Sequence, residues 1–403
     1  MKKWLSILKS ELSLILEDKS ILLTILLAPF LYAFFIGSIY AEKEVSEIPI
    51  AIVDFDHTSL SRKVSQLIDT SEKVSVQGQY STLEDAMFRF NNLEIQGIVI
   101  LPKQFEKNTI NLDGSHIELV LNNTKFLTSN EINKSIQSVV LTVAGGVRME
   151  YFVSNKIPVE LAKQKAQPII PIVKSIYNAT NNYGDYLLPV LLILILQQTL
   201  IIGFGQSVVH HLNRGIILPA AKMNFFDFMH MLSAKSFYYV LLYTAYFLVF
   251  YKGIFPHFSL SFNGSIFLHL ILALLFIIAV LLYTTLVASF FKTTIGWTEI
   301  LAFSTYPLFL VSGYSWPIDA MPIGLQIIAN LLPSTPYFTV FNSLATEGAD
   351  LYAIINGFVH LLSLVLVGYV MLYLRFRCIK NSCLINSNEF TKAISWKKEE
   401  NLN

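Results

Sequence analysis

Residues 265–290, SIFLHLILALLFIIAVLLYTTLVASF, run for 26 positions without an Asp, Glu, Lys or Arg. That is longer than the roughly 20 apolar residues a helix needs to cross a bilayer core, and no water-facing helix tolerates such a run. Five further stretches, 21–40, 186–206, 236–251, 297–314 and 355–374, have the same character, although the third of these is short and the fourth contains Pro307. The chain therefore reads as a polytopic α-helical membrane protein with six transmembrane helices. Its charged fraction of 14% and mean hydropathy of +0.54 agree, because soluble domains carry about 25% charge.

The net charge of +1 gives no reason to expect a nucleic-acid partner, and the basic residues are more informative by position than by sum. With the N-terminus inside, Lys2, Lys3, Lys9, Lys19, Arg214, Lys222, Lys235, Lys292, Arg375, Arg377 and Lys380 all fall on the cytoplasmic side. The short outer loops then hold only Lys252, which satisfies the positive-inside rule. Both termini are expected in the cytoplasm, with residues 375–403 as a cytoplasmic tail. The two cysteines, Cys378 and Cys383, lie in that tail and imply no disulfide framework.

Residues 1–20 place Trp4, Leu5, Leu8, Leu12, Ile15 and Leu16 on one side of a helix, with Lys9, Glu11 and Lys19 among the polar positions. This predicts an amphipathic helix on the membrane surface, the alternative being a charged leader to the first span.

Residues 41–185, between the first two spans, alternate strand and helix patterns and predict an inserted extracytoplasmic α/β domain. Strands are expected at IPIAIVDF, KVSVQG, IQGIVILP and HIELVLNN, with a last one at QPIIPIVKSIYN. Helices are expected over 58–68, 83–90 and 127–155.

The first strand ends in Asp54, Asp56 and Thr58, the D-x-D-x-T spacing in which one carboxylate attacks phosphorus and the other acts as acid or base. Such chemistry needs a downstream Lys and a second acidic pair for Mg²⁺. The nearest match, Gly184-Asp185, abuts a span and lacks the second Asp. Both aspartates are therefore read as turn and cap residues. No G-x-x-x-x-G-K-[ST] pattern occurs, so this chain has no Walker A site, and the adjacent His210 and His211 do not have zinc-ligand spacing. No catalytic residue, metal site or cofactor is assigned to the chain.

IPIAIVDFDHTSLSRKVSQLID followed by TLEDAMFRFNNLEIQGIVILPKQFEK resembles the outer domain of ABC-2 type export permeases, which ends in a strand and I-P-x-x-F. The run Tyr177 to Pro189 is similar to that family's approach to the second span, with Ala179 and Val190 departing from it. LNRGIILPAAKMNFFDFMHMLSAKSFYY resembles the E-R-G-T…G-K segment: Arg214, Gly215 and Lys235 match, while Asn213, Ile216 and Ala234 differ. Residues 306–338 resemble the signature near the outer mouth, with Ser312, Gly313, Pro317, Pro322 and Pro333 in order.

The resemblance implies a permease subunit of an exporter, moving an apolar or amphiphilic substrate, with ATP and Mg on separate ABC ATPase subunits. It implies a second permease subunit, alike or a sister chain, and leaves room for a periplasmic adaptor protein. Placement in the cell membrane follows. Arg214, Gly215, Ile216, Ile217, Leu218, Pro219 and Lys235, in a cytoplasmic loop over 208–234, are the expected coupling residues; the alternative is that they anchor the loop. Gln197, Gln198 and Glu299 are polar groups within spans, where such groups are costly. With Ser312, Gly313, Tyr314 and Trp316 they are the candidates for the substrate path. Helix–helix hydrogen bonding, hydration at the inner interface and interfacial anchoring are their other readings. Segment 313–338, rich in Pro, is expected as broken outer helices. A membrane-anchored Mg-dependent phosphohydrolase using Asp54 and Asp56, or a non-transporting receptor or scaffold, are the alternatives in function.

Overall fold

The computed structural model describes residues 2–41, 43, 45–166, 177, 182–214 and 225–400, with side chains considered as far as Arg377. The chain divides into two compact units, Met1–Ala41 with Ile176–Asn403, and Glu42–Ser175.

The helical unit begins with α1 (Lys2–Glu17), α2 (Lys19–Leu26) and α3 (Ala28–Ile39). Asp18 separates the first two and caps α2, accepting from the backbone of Ser20 and Ile21 at 2.9 and 3.3 Å. Helices α2 and α3 are bent by 43°. The break precedes Pro29, whose ring nitrogen has no hydrogen for the i−4 bond a straight helix would need.

The α/β unit is built from β1 (Ile48–Asp54), α4 (Ser59–Asp69), β2 (Val74–Tyr80), α5 (Leu83–Asn91), β3 (Gly97–Leu101), α6 (Phe105–Ile110), β4 (Glu118–Leu121), α7 (Phe126–Ser154) and α8 (Val159–Ala166). The sheet order is β2-β1-β3-β4, with β1 parallel to both neighbours and β4 antiparallel to β3. Strands β1 and β3 are buried on both faces, as their unbroken apolar runs require. One face packs Ile50, Ile52 and Val99 against Val64 and Ile68 of α4 and Ile132 and Ile136 of α7; the other packs Ala51, Val53 and Ile98 against Ala86 of α5. Helices α6 and α8 are additions that the sequence pattern did not indicate, both being under nine residues. The strand expected over 167–178 lies outside the described residues, Tyr177 excepted.

The helical unit resumes with α9 (Tyr183–Asn213), α10 (Phe225–Val249), a π turn (Phe250–Ile254), α11 (Phe255–His257), α12 (Ile266–Ala288), α13 (Thr294–Val311), α14 (Ile323–Leu331), α15 (Ser334–Asn342), a second π turn (Ser343–Glu347) and α16 (Leu351–Glu400). Among the described residues four helices are long and apolar enough to span a bilayer, and a fifth is counted if the bent α2–α3 pair is one broken span. The stretch expected as the fifth span forms α13, but with 18 residues including Glu299 it falls short of the same criterion.

Two expected boundaries are corrected. The expected 208–234 loop is helical at both ends, since α9 continues to Asn213 and α10 starts at Phe225; between them only Arg214 is among the described residues. Helix α10 extends past its apolar middle because Phe228 and Met231 are buried beside Leu282, Leu372 and Phe376. Correspondingly, the span expected to be short, 236–251, belongs to a helical stretch running from Phe226 to His257. The residues expected as a tail after 374 continue α16.

Segment 313–338 is broken where its prolines require: Pro317 precedes a 3₁₀ turn at Ile318–Ala320, Pro322 precedes α14 and Pro333 precedes α15. Gly313 has φ +87°, and a Cβ there would lie 2.5 Å from Cγ1 of Ile318, so only glycine makes this bend without strain.

Candidate functional site

The aspartate loop is structural. Asp54, nearly buried, accepts from the backbone of Asp56 at 2.9 Å and His57 at 3.0 Å with one oxygen, and from the Ser61 hydroxyl at 2.7 Å with the other. Thr58 and Ser61 form a reciprocal capping box at the start of α4. Asp56 accepts from the Thr58 hydroxyl at 2.7 Å and from the Glu106 backbone at 2.9 Å, which ties the first turn of α6 to the same loop. Burial pushes its carboxyl up, but the Glu106 N–H and Thr58 hydroxyl outweigh it and hold it below the usual carboxylate value. Both carboxylates are thus occupied by the chain's own donors. Asp54→Ala should cost the α/β unit about 2–3 kcal/mol, the loss of a charged acceptor from three donors of which the Ser61 hydroxyl is buried; it is measured as faster hydrogen exchange over 48–69 in the intact protein.

The densest polar constellation lies in the helical unit and joins three helices. Glu11 of α1, Ser207 and His211 of α9 and Lys235 of α10 are 0, 0, 3 and 2% exposed. The Lys235 ammonium donates to Glu11 Oε2 at 2.7 Å, Ser207 Oγ at 2.8 Å and His211 Nδ1 at 2.9 Å. Three protons meet three acceptors, and since Nδ1 accepts, the His211 proton resides on Nε2. The Ser207 hydroxyl in turn donates to Glu11 Oε1, so both carboxylate oxygens are used. The ring of Phe204 lies 5.8 Å from the ammonium and 4.8 Å from the buried Tyr239 ring, closing one side with aromatic surface.

This arrangement bears on two expectations. On α1 the stripe that meets the protein includes Glu11, Leu14 and Ile15, whereas Leu5, Leu12 and Leu16 are exposed. Burying a carboxylate becomes possible because a counter-charge waits for it, while exposed leucines cost nothing against lipid. Lys235, expected to couple to a partner, presents nothing outward. The signal in the sequence was faint: Glu11 interrupts the inward row Ile7, Leu14 and Ile15, and Lys235 follows Ala234 where α10 passes from its polar first turns into its apolar middle.

Of the other expected coupling residues, Arg214 caps the C-terminal end of α9 and is exposed. Gly215, Ile216, Ile217, Leu218 and Pro219 lie outside the described residues. Beside them Asn213 donates to the carbonyl of Lys292 at 2.7 Å, fastening the end of α9 to the turn before α13.

The expected path residues do not gather on one surface. Gln197 and Gln198 are buried in α9, and neither amide atom of Gln198 has a hydrogen-bond partner among the described residues. Glu299 is exposed on α13, on a face that also exposes Ile295, Ile300, Phe303 and Tyr306. Ser312 is buried and donates to the Phe309 carbonyl at 2.6 Å. Tyr314 stacks on Tyr186 at 4.9 Å between centroids, and each hydroxyl donates to the other residue's carbonyl. Trp316 is exposed. Tyr186 was missed, since nothing in the sequence marks a tyrosine at the start of a span as the partner of one 128 residues later.

The family described as ABC-2 family transporter protein matches residues 19–375. No curated protein matches the chain. The match takes in α2 to α15, the first part of α16 and the α/β unit, leaving α1 outside it, and family membership implies a transport subunit with an ABC ATPase as partner rather than an enzyme. With its apolar helices and a match over nearly its whole length, the chain belongs to the ABC-2 family of transporter proteins.

Proposed function

We propose that this chain is the permease subunit of an ATP-driven exporter, with six spans, both termini cytoplasmic and the α/β unit on the outer side. The family match over residues 19–375 carries the reading. Basic residues concentrated at one set of helix ends support the orientation, and α13 completes the sixth span if its Glu299 is met by another protein surface. A charge on a lipid-facing helix is costly, which favours a second permease subunit, alike or a sister chain, against that face. Energy comes from ATP and Mg held by separate ABC ATPase subunits, which dock on Arg214 and the following Gly215 to Pro219. The aromatic outer mouth, with Tyr186, Tyr314 and Trp316, suits an apolar or amphiphilic cargo, and a periplasmic adaptor protein would dock on the α/β unit.

Tagging the chain, solubilising native membranes gently and identifying what co-purifies tests this. A Walker-type ATPase is expected, and Arg214→Glu should weaken its binding about tenfold, the equivalent of 1.4 kcal/mol. If no ATPase accompanies the wild-type chain and phosphate esters are hydrolysed with Mg²⁺, the exporter reading fails.

A further inference from the structure

We propose that Glu11 is a positioning residue that makes α1, α9 and α10 one moving body, so that motion imposed on the 214–224 loop reaches the N-terminal helix without slack. This rests on the exporter reading for its purpose, though not for its geometry.

The argument starts from what holds α1 in place. Its leucines at 5, 12 and 16 are exposed, and apolar contacts with a neighbouring helix give little advantage over contacts with lipid. What is specific is polar: Trp4 Nε1 reaches Ser233 Oγ at 3.3 Å, and Glu11 engages Lys235 and Ser207. Apolar surfaces slide with small penalties. A carboxylate and an ammonium whose acceptors and donors are all used cannot shift by a residue without stranding a buried charge. The partners also have a telling distribution. Ser207 and His211 sit in the last two turns of α9 before the loop, and Lys235 sits in α10 after it. Both flanks of the loop are thereby fixed to one side chain on α1, across 196 and 224 residues of sequence.

The test uses the full chain purified with its ATPase, with Cys378 and Cys383 replaced by Ser and spin labels at Leu5→Cys and Met229→Cys. Pulsed electron resonance then gives the distance between α1 and α10, without nucleotide and after trapping with ATP and vanadate. With Glu11 present, one narrow distance unchanged by trapping is expected. Glu11→Gln should lose the narrow distance and shift on trapping, while ATP hydrolysis persists because it takes place on the other subunit. Should Glu11→Gln fail to fold, Glu11→Leu with Lys235→Met removes both charges and still removes the fixed register.

Hydrogen exchange on the chain alone supplies a readout independent of any ATPase. Amides of residues 4–17 should exchange about tenfold faster in either variant, with α12 unchanged. An unaltered distance and unaltered α1 exchange in the double variant would overturn the proposal. Absence of an ATPase in the wild-type preparation, with α1 exchange still dependent on Glu11, would instead sink the exporter reading and leave the tie standing.

Discussion

Glu11→Leu with Lys235 left in place should destabilise the helical unit by about 3–5 kcal/mol, a loss large enough to lower the recovery of folded protein from membranes. The ammonium would stay where it is, 2% exposed, with Ser207 and His211 as its remaining acceptors and no counter-charge. Lys235→Met should cost a similar amount for the opposite reason, leaving the carboxylate with the Ser207 hydroxyl and the His211 ring, whose Nδ1 lies 3.3 Å from Oε2, but without the ammonium. Combining the two should recover most or all of the loss, because neither charge is then buried and the pair's own net contribution is small. The ordering, both single variants well below wild type and the double variant near it, is measured by thermal inactivation of fluorescence-tagged protein in detergent. Near-additive single and double losses would mean that the side chains are not coupled as the geometry shows.

Gly205→Val is the second large effect. Gly205 lies where α9 crosses α13, and a Cβ there would run directly into the indole of Trp297. That ring has nowhere to go: it is 1% exposed, donates to the Ile202 carbonyl at 3.3 Å and meets Phe291 edge-on at 5.3 Å. Overpacking of this kind costs about 1–3 kcal/mol and more when backbone must move, so the helices should separate. Gln206 holds Thr298 of α13 at 2.9 Å, and that bond should be lost with the separation. The expected result is a lowered inactivation temperature together with increased exchange in α13. Pairing it with Trp297→Leu, which vacates the space, should restore part of the loss; if Gly205→Val alone is tolerated, the helices are not as close as described.

The elements that were legible in the sequence are those whose pattern has a single physical reading. Asp54, Asp56 and Thr58 announce a helix start because their oxygens have few other uses at a strand end, and α4 begins at Ser59 with Thr58 as its cap. Long runs such as 265–290 admit only a span. Legibility fails where lipid and protein interior make the same demand. On α1 an apolar face can look either way, and the pattern left Glu11 among the polar positions while the protein buries it with Leu14 and Ile15. The loop boundaries failed similarly, since α10 carries polar residues such as Asp227 and His230 through its first turns and its inward residue Phe228 is recognised only by Leu372 and Phe376, far along the chain. The charge cluster was hidden mainly by distance: Ser207 and His211 are four apart on α9, but Glu11 lies 196 residues from Ser207 and 224 from Lys235.

Among the described residues the sheet of the α/β unit is open on both sides, and each margin is blunted. Strand β4 is only four residues long. On the other margin, the pairing of β1 with β2 passes from Ile50↔Val76 to Ala51↔Gly78, so Gln77 is an extra residue in the edge strand. A bulge of this kind twists the outer row of amides and carbonyls out of line for a neighbour. Two copies of such a unit crowded together at a membrane therefore have little tendency to zip edge to edge, and a close pairing of chains does not carry with it a seed for aggregation.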